Sequence, residues 1–401
     1  MIEIQSNYDI IIIGGGPAGA TAAHDLAKQN RSVLLVDREG RIKPCGGAVP
    51  TKAISEFDIP QSQIVAKSNA ARIIAPSARE VEMEIGSIGY VGMVDRDKFD
   101  PFLRERAQKA GAHYVTGTFK SLSYNSDGSI KVLVQDKSAP DVIHEITGKT
   151  IIGADGANSA VRRAIFGPKK KPPYVFAYHE IVKTPKNFDP YLFQTDRCDV
   201  IYNGEISPDF YGWVFPHGEH TSIGTGTAIK GHDMKEATRK LREAAGLGDA
   251  ELVREEGAPL PLKPMRRWDD GKAIVLVGDA AGCVAPSSGE GIYYAMLSGR
   301  LGAQSAVKLL ETGKSRSLRH ARKAFMKDHR VPFMVLGAMQ YFWYSSDKRR
   351  EGFVKMCEDK DVQRLTWESY LNKKIVRKEP MAHLRIFIKD MRQLLGIPAR
   401  S

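Results

Sequence analysis

The fold of this chain is decided by residues 8–19, which read YDIIIIGGGPAG. The unbroken apolar run at 8–13 predicts a strand that is buried on both faces of a parallel sheet. The Ala-rich residues 20–29 that follow predict a helix. The glycines therefore lie where a strand turns sharply into a helix, which is the context in which the pattern G-x-G-x-x-G binds a dinucleotide.

Each glycine of this turn has its own physical role. Gly14 allows the tight turn, Gly16 leaves no Cβ in the way of a pyrophosphate, and Gly19 lets helix and strand pack closely. The first N–H groups of the helix then face the anion. A second apolar run, residues 32–36, ends at Asp37, where a carboxylate accepts from a ribose hydroxyl. The alternative is a glycine-rich turn without a ligand, which leaves the second strand and the acid unexplained.

The length of the chain, 401 residues, predicts two or three domains. With 42% hydrophobic and 26% charged residues, the composition is that of an ordinary globular protein, which excludes the disordered and collagen-like classes. No segment approaches the roughly 18 apolar residues that span a bilayer. The first apolar run lacks the basic stretch that begins a signal peptide, so we expect a cytoplasmic protein.

The cysteines and histidines show no metal-binding pattern. The 4 cysteines lie far apart without a C-x-x-C pair, which argues against a zinc site or a disulfide framework and for a reducing compartment. They are Cys45, Cys198, Cys283 and Cys357. The 10 histidines show no ligand spacing either. No metal is predicted.

The net charge of +12 is concentrated near the end of the chain. Residues 321–401 contain 18 Lys and Arg against 9 Asp and Glu, which gives this segment a charge of +9. A basic segment suits an anionic membrane, a nucleic acid or a solvated face. Aromatic and basic residues are not interleaved on a recognisable module, so no nucleic acid is expected. The aromatic run at 333–344, beside the basic residues 348–350, favours peripheral membrane contact over core packing alone.

The pattern of elements predicts an α/β fold in which a first domain is interrupted and resumed. Residues 172–268 are rich in strands with aromatic residues, a buried strand returns at 273–277, and residues 315–396 are mostly helical in pattern. We predict a Rossmann-like dinucleotide-binding domain, an interleaved substrate domain on an antiparallel or mixed sheet, and a helical C-terminal region. The predicted boundaries are 1–70, 95–171 and 269–312 for the first, 71–94 and 172–268 for the second, and 313–401 for the third.

A third candidate contact follows the returning strand. Asp279 lies just beyond residues 273–277, and ligands of open α/β sheets bind outside the carboxyl ends of strands. Its carboxylate is therefore expected to meet the polyol between the pyrophosphate and the reactive ring. The segment Gly289-Glu290-Gly291-Ile292 then begins a helix whose N–H groups would face that ring.

Three motifs together resemble the FAD-dependent group that includes p-hydroxybenzoate hydroxylase. They are the glycine turn with Asp37, the segment GADGANSAVR at 153–162, and GDAA at 278–281 followed by Pro286 and Gly289-x-Gly291. Within that group, KPCGGA at 43–48 and FYGWVFP at 210–216 resemble the geranylgeranyl reductases. Residues 340–351 and 361–367 resemble the (bacterio)chlorophyll branch, and PCGGAVP at 44–50 looks closest to its bacteriochlorophyll form.

The resemblance implies a cofactor, a substrate and their contacts. The implied FAD contacts are Gly14, Gly16, Ala18, Gly19, Asp37, Cys45, Gly46, Ala48, Arg96, Asp279, Gly291 and Ile292. The implied prenyl contacts are Tyr211, Trp213, Phe215 and Pro216, whose aromatic surface suits a long apolar chain. Without the resemblance, Trp213 and Phe215 would be read as core residues of a sheet.

The implied reaction reduces a geranylgeranyl tail to phytyl. NADPH reduces FAD, and the reduced flavin passes a hydride to an isolated alkene while a proton reaches the other carbon. Cys45, Tyr211 and His217 are the candidate proton donors, and Cys45 is also a candidate flavin-loop contact. No second G-x-G-x-x-G follows a strand, so NADPH is expected to visit the flavin cleft transiently.

Several alternatives stay open on the sequence. The substrate is a prenylated tetrapyrrole such as geranylgeranyl (bacterio)chlorophyll, or geranylgeranyl diphosphate, or an archaeal-type lipid. The same scaffold also serves FAD-dependent monooxygenases and halogenases, and a prenyl or pigment carrier that keeps FAD for structure is a third class. We expect a bacterial protein attached to the photosynthetic membrane from one side.

Overall fold

The computed structural model describes residues 5–40 and 42–373. The strands, in chain order, are β1 (Asn7–Ile13), β2 (Val33–Asp37), β3 (Ala48–Pro50), β4 (Ala66–Ser68), β5 (Ala70–Ile74), β6 (Glu80–Glu84), β7 (Val91–Met93), β8 (His113–Tyr124), β9 (Ile130–Asp136), β10 (Ile143–Gly153), β11 (Tyr174–Lys183), β12 (Arg197–Ile201), β13 (Gly212–His217), β14 (His220–Thr227), β15 (Leu252–Pro261) and β16 (Ile274–Leu276).

The helices, also in chain order, are α1 (Pro17–Ala27), α2 (Thr51–Glu56), α3 (Arg96–Lys109), α4 (Ala160–Phe166), α5 (Met234–Ala244), α6 (Ile292–Thr312), α7 (Arg319–Trp343), α8 (Asp347–Met356) and α9 (Lys360–Asn372). Short 3₁₀ turns cover Gln61–Gln63, Gly86–Ile88, Gly278–Ala281 and Ser315–Leu318. No helix among the described residues is long and apolar enough to cross a membrane.

The described chain forms two compact units. Unit 1 takes the described residues within Met1–Lys43, Arg96–Tyr174 and Pro259–Phe333, and unit 2 takes those within Pro44–Asp95, Val175–Ala258 and Met334–Ser401. These limits differ from the predicted domains. Residues 44–70 join unit 2 because β3 and β4 both pair with β7. The helical region predicted at 313–401 is divided after Phe333, and its residues 374–401 lie outside the described part of the chain.

Unit 1 is built on a six-stranded mixed sheet around β1. β1 pairs in parallel with β2 and with β10, and β16 extends the parallel part beyond β10. Two long strands carry the sheet further, because β8 and β10 both continue past the parallel region to pair antiparallel with β9. The isoleucines at 10–13 of β1 are buried on both faces, as the apolar run predicts.

Unit 2 contains a seven-stranded sheet in the order β15-β11-β14-β13-β12-β5-β6. The β12–β5 pair is parallel, whereas β11–β14, β13–β14 and β12–β13 are antiparallel. One face of the sheet forms a core with α5, which includes Val182, Val214, Ile223 and Leu241. Alternate residues of a strand point to opposite faces, so Trp213 and Phe215 of β13 lie on the other face from Val214. The predicted mixed α/β architecture with an antiparallel or mixed second sheet is confirmed.

Candidate active site

The glycine turn of unit 1 is held together by backbone contacts. Gly14 has φ +107°, and its N–H donates to the carbonyl of Val36 at 2.7 Å. A Cβ on Gly19 would lie 1.8 Å from the carbonyl oxygen of Gly14, so α1 packs directly on the end of β1. Only glycine permits that approach.

The same turn leaves space at the start of α1. A Cβ on Gly16 would have no neighbour closer than Oδ2 of Asp100, at 3.9 Å. Gly16 is the N-cap of α1, and no side chain caps that helix end. The first N–H groups of the helix are therefore available for an anion, and the missing Cβ at Gly16 lets one approach. The residues present fit a dinucleotide pyrophosphate.

Asp37 ends β2 beside this turn. Its Oδ2 accepts from the N–H of Gly15 at 2.6 Å, and its Oδ1 accepts from the N–H of Glu39 at 2.8 Å. A carboxylate has about four acceptor positions, so a ribose hydroxyl can still donate to it. The geometry is compatible with the predicted ribose contact.

Helix α3 brings a row of charged side chains to the turn. Arg96, a predicted FAD contact, is buried and makes two 2.7 Å hydrogen bonds to Asp100. One turn further on, Nη1 of Arg104 lies 3.5 Å from the carbonyl oxygen of Gly15. The sequence analysis did not single out Asp100 and Arg104. Their signal was the i, i+4, i+8 spacing from Arg96, which parallels the apolar row on the buried face of the helix.

The second motif, residues 153–162, packs against the glycine turn. The N–H of Ala154 donates to Ile13 at 2.7 Å, and a Cβ on Gly14 would lie 2.3 Å from the Ala154 carbonyl oxygen. Oδ2 of Asp155 accepts from the N–H groups of Ala160 and Val161 at the start of α4. Burial raises the pKa of the Asp155 carboxyl above its ordinary value. This segment fixes the position of β10 against the turn.

Asp279 lies in the 3₁₀ turn that follows β16, with 6% of its surface exposed. It forms an ion pair with Lys43, a residue of the same unit that the sequence analysis did not assign to the site. The two are separated by 236 positions, so no local pattern reveals the pair. Charge pairing lowers the cost of keeping a carboxylate in this buried place.

Helix α6 approaches α1 very closely near Asp279. A Cβ on Gly299 would lie 2.1 Å from the carbonyl oxygen of Ala18. The helix begins at Ile292 after the N-cap Gly291, and Oε1 of Glu290 accepts from the N–H of Tyr293 at 2.9 Å. Ala18, Gly291 and Ile292, all predicted FAD contacts, therefore lie on two helix beginnings of unit 1, where N–H groups lack partners within the helix.

In unit 2, the loop Cys45–Gly47 rests on aromatic rings. A Cβ on Gly46 would lie 2.9 Å from Cδ2 of Phe215, and one on Gly47 would lie 2.4 Å from Cε1 of His217. The N–H of Gly47 lies 3.4 Å from Sγ of Cys45, which is partly exposed while the other cysteines are buried. The loop continues into β3, which begins at Ala48.

The predicted prenyl contacts lie on β13 or directly before it. Trp213 is buried and donates from Nε1 to Oγ of Ser222 at 3.2 Å. Tyr211 lies next to it, with ring centroids 6.1 Å apart, and burial raises the pKa of its phenol. Phe215 is partly exposed and Pro216 is buried. By the alternation of the strand, Tyr211, Trp213 and Phe215 lie on one face, and Pro216 lies on the opposite face with Val214.

Among the described residues, no group of three or more His, Cys, Asp and Glu side chains is arranged to hold a metal ion.

This fold is found in solved flavoenzymes. A geranylgeranyl bacteriochlorophyll reductase-like protein from Thermoplasma acidophilum matches with a TM-score of 0.80 at 22% identity, over 96% of this chain and 99% of that one. A flavin-dependent brominase matches with a TM-score of 0.73 at 16% identity, over 97% and 100%. At such identities the likeness concerns the fold, which is that of a flavin-dependent oxidoreductase.

The sequence comparisons narrow this class. Residues 9–393 match the family described as lycopene cyclase protein. Geranylgeranyl diphosphate reductase of Rhodobacter capsulatus is 51% identical over 393 residues, which cover 97% of this chain and 98% of that protein. The chloroplastic enzyme of the same name from Nicotiana tabacum is 36% identical over 417 residues, which cover 97% and 86%. The chain belongs to the geranylgeranyl reductases of the lycopene cyclase family, as its motifs predict.

Proposed function

We propose that this chain is an FAD- and NADPH-dependent reductase that hydrogenates the geranylgeranyl group of a (bacterio)chlorophyll, or of geranylgeranyl diphosphate, stepwise to phytyl. The observation that carries the proposal is the aromatic face of β13 against the glycine loop of Cys45–Gly47. The relatives named geranylgeranyl diphosphate reductase support it over nearly the whole length of the chain. The relation to halogenases rests on fold alone.

In this proposal the residues of unit 1 hold FAD, which supplies the hydride when it is bound. The N–H groups at the start of α1 bind the pyrophosphate beside Gly16, and Asp37 accepts from the adenosine ribose. Asp279 accepts from the polyol, and Lys43 pairs with its carboxylate. Arg96 is held by Asp100 in a fixed orientation at the same turn.

The residues of unit 2 bind the prenyl group and keep water away. An isoprenoid offers no hydrogen bonds, so its orientation depends on shape and on contact with rings such as Trp213 and Phe215. The same apolar surface excludes water from the reacting carbons. Alignment is the main contribution of the protein to such a reaction.

Among the three candidate proton donors, Cys45 is the one that we propose. Burial raises the pKa of Tyr211, which makes its phenol a weaker acid. Both ring nitrogens of His217 contact acceptor oxygens. The thiol of Cys45 is partly exposed and lies in the proposed flavin loop. Replacing Cys45 with Ser should slow alkene reduction and leave flavin reduction by NADPH unchanged, and equal alkene reduction in both proteins would refute the assignment.

An anaerobic assay separates the competing functions. Purified protein with FAD and NADPH is given geranylgeranyl bacteriochlorophyll, geranylgeranyl diphosphate or an archaeal-type diether lipid in parallel arms. Mass gains in steps of two hydrogens on the prenyl tail support the reductase and identify its head group. In a separate aerobic arm, consumption of oxygen that depends on an aromatic substrate would favour a monooxygenase. Flavin that NADPH never bleaches in the anaerobic arms would favour a carrier.

We also propose that helix α7 contacts an anionic membrane from one side. The aromatic run is divided: Phe333 and Trp343 are buried, whereas other large apolar residues of the helix are exposed. The exposed ones are Val331 (51%), Met334 (64%), Val335 (47%) and Tyr341 (85%). Their spacing of three, four and ten positions from Val331 places them along one side of the helix.

Exposed basic residues accompany this side of α7. Lys327 and Arg330 of α7 precede these apolar residues in the chain, and Lys348 and Arg349 at the start of α8 follow them. Apolar insertion with flanking positive charge is the composition of an interfacial helix on anionic lipid. The basic residues at 374–401 also counted in the sequence analysis lie outside the described residues.

Vesicle flotation tests the membrane contact. Replacing Met334, Val335 and Tyr341 together with Glu should abolish flotation with vesicles that contain phosphatidylglycerol. Leu252→Glu with Val253→Glu is the matched control, since both residues are exposed and apolar but lie on β15. Flotation of the triple variant at the level of the control would end the proposal.

A further inference from the structure

His217 is buried against the backbone of the loop that it contacts. Only 5% of its surface is exposed. Its Nδ1 lies 2.8 Å from Oδ1 of Asp95, and its Nε2 lies 3.1 Å from the carbonyl oxygen of Gly46. Carboxylate and carbonyl oxygens are acceptors, so each ring nitrogen faces a group that can only accept.

With Asp95 ionised, both contacts are hydrogen bonds only when the ring has an N–H at each nitrogen. A neutral imidazole has a single N–H, so one of the two oxygens would then face a nitrogen lone pair. The doubly protonated ring donates to both oxygens. Water cannot replace the missing donor at so buried a position. The carboxylate of Asp95, in the same unit, balances the charge.

A neighbouring hydrogen bond completes the arrangement. The N–H of Val94, next to Asp95 in the chain, donates to the carbonyl oxygen of Gly47 at 2.9 Å. Residues 94–95 together with His217 thus fix two successive carbonyl groups of the loop. Each carbonyl lies in the plane of its own peptide unit, so the two contacts fix the 46–47 and 47–48 peptide planes, next to Cys45 in the chain.

We infer that His217 is a positioning residue: as a cation paired with Asp95, it holds the Gly46 carbonyl and so orients the Cys45–Gly47 loop. This role differs from that of a proton donor, for which its hydrogens would have to be released to substrate. The inference rests on the proposed function in one respect, namely that the loop contacts the flavin. The ring itself contacts backbone.

The charge on the ring can be measured without substrate. Two-dimensional ¹H–¹⁵N spectra of the FAD-loaded protein at neutral pH should show both His217 nitrogens protonated. Asp95→Asn should convert the ring to a neutral form with one protonated nitrogen. A neutral His217 in the parent protein would overturn the inference, even if no variant folds. This readout is independent of whether NADPH bleaches the flavin, so it fails separately from the proposed reductase activity.

Substitutions then test positioning against proton donation. His217→Phe keeps a ring of similar size but has no donor, and we expect its dissociation constant for FAD to rise about tenfold, the size of one charge-assisted hydrogen bond. His217→Gln keeps an N–H group for the Gly46 carbonyl and should recover most of the affinity.

The matched control is His220→Gln, because His220 faces His217 across the β13–β14 pair and should leave FAD affinity unchanged. The result that would overturn the inference is a His217→Phe protein that binds FAD as tightly as the parent and is reduced by NADPH, yet no longer reduces the alkene. That pattern belongs to a proton donor. Equal loss of FAD in the Phe and Gln variants would also contradict it.

Discussion

The two glycine loops of this chain, residues 14–19 and residues 45–47, both require a close approach, but to different kinds of atom. At Gly19 the neighbour is the carbonyl oxygen of Gly14, five residues earlier in the same strand–turn–helix unit. A Cβ on Gly19 would lie 1.8 Å from this oxygen. At Gly46 the neighbour is the ring of Phe215, and at Gly47 the neighbours are the ring of His217 at 2.4 Å and the carbonyl oxygen of Val94 at 2.5 Å from a would-be Cβ. A backbone contact within one local unit is rigid, whereas a ring has rotamers with which to yield.

The difference shows which loops a sequence can reveal. The first loop belongs to a local strand–turn–helix unit, in which the carbonyl of Gly14 demands the glycine at position 19. Gly14 itself also meets the carbonyl of Ala154 from the second motif. The second loop depends on β13, which is 171 positions from Gly46. A pair of glycines beside a cysteine occurs in many kinds of loop. Only the folded unit shows that the rings of β13 leave no room for a Cβ at these two positions.

The largest effect should come from breaking the first loop at its backbone contact. Gly19→Ala should destabilise the protein by about 3 kcal/mol, the upper end for overpacking, because neither side of the contact can move away. Gly16→Ala should cost less than about 1 kcal/mol, as expected at an N-cap, while FAD affinity falls. Urea unfolding without added flavin, followed by flavin titration, measures both. A Gly19→Ala protein as stable as Gly16→Ala would remove the distinction between these glycines.

The second loop should show a smaller effect that depends on its ring. Gly47→Ala should cost about 2 kcal/mol, part from the positive φ of +70° and part from contact with the ring of His217 and the carbonyl oxygen of Val94. Gly128→Ala is the control for φ alone, since Gly128 has φ +85° and no atom within 4 Å of a would-be Cβ.

A double-mutant cycle isolates the ring contribution. Gly47→Ala combined with His217→Ala should deviate from additivity by about 1 kcal/mol, measured by urea unfolding. Strict additivity of the two substitutions would show that the ring does not select glycine at position 47.

The pH dependence of stability should reveal the buried carboxyl of Asp155, which lies in the segment that packs against the first loop. Burial raises the pKa of Asp155 above its ordinary 3.8, so the folded protein holds this proton more tightly than the unfolded chain does. Its contribution is therefore full below that value and declines as the pH rises through the folded pKa. The Asp155→Asn protein should lack this pH dependence, in which the free energy of unfolding falls by as much as about 1.4 kcal/mol per pH unit. Parallel curves for the two proteins between pH 4 and pH 7 would contradict this.

The smallest effect should come from a single polar contact under the second loop. Trp213→Phe keeps an aromatic ring on β13 but loses the donor to Ser222, and we expect a loss of about 1 kcal/mol. Thermal unfolding measures the change, with Ser222→Ala as the partner variant. If the Ser222 variant alone destabilises the protein by far more, the hydroxyl has a role beyond this contact.

Elements with local patterns could be predicted from the sequence, and those with distant partners could not. The β1–α1–β2 unit follows from apolar runs and glycine chemistry, and it is confirmed to within a few residues. The short sheet of β3, β4 and β7 was missed, because three-residue strands carry too little alternation. β15 was missed for a different reason: it contains two prolines and lies at the edge of its sheet, where proline is tolerated.

The candidate site divides in the same way. Asp37 and Asp279 lie where the buried strands place them, at the end of β2 and in the turn after β16, and their contacts with a cofactor stay predictions. Lys43 could not be predicted, because its partner Asp279 lies 236 positions away, whereas Asp100 and Arg104 were missed although their spacing from Arg96 is helical. The contact of Gly46 with His217 is also long-range. Long-range pairing of this kind leaves no period in a single sequence.

The unequal exposure of the four cysteines has a practical consequence. Cys198, Cys283 and Cys357 are buried, and burial raises the pKa of each thiol, to about 12 for Cys198 and Cys357. Reagents such as maleimides attack thiolates, so these three should react slowly in the native protein. Cys45 would then accept a fluorescent label in the unmodified sequence. A dye at that position would report arrival of nucleotide or lipid as a change in emission, without any engineered residue.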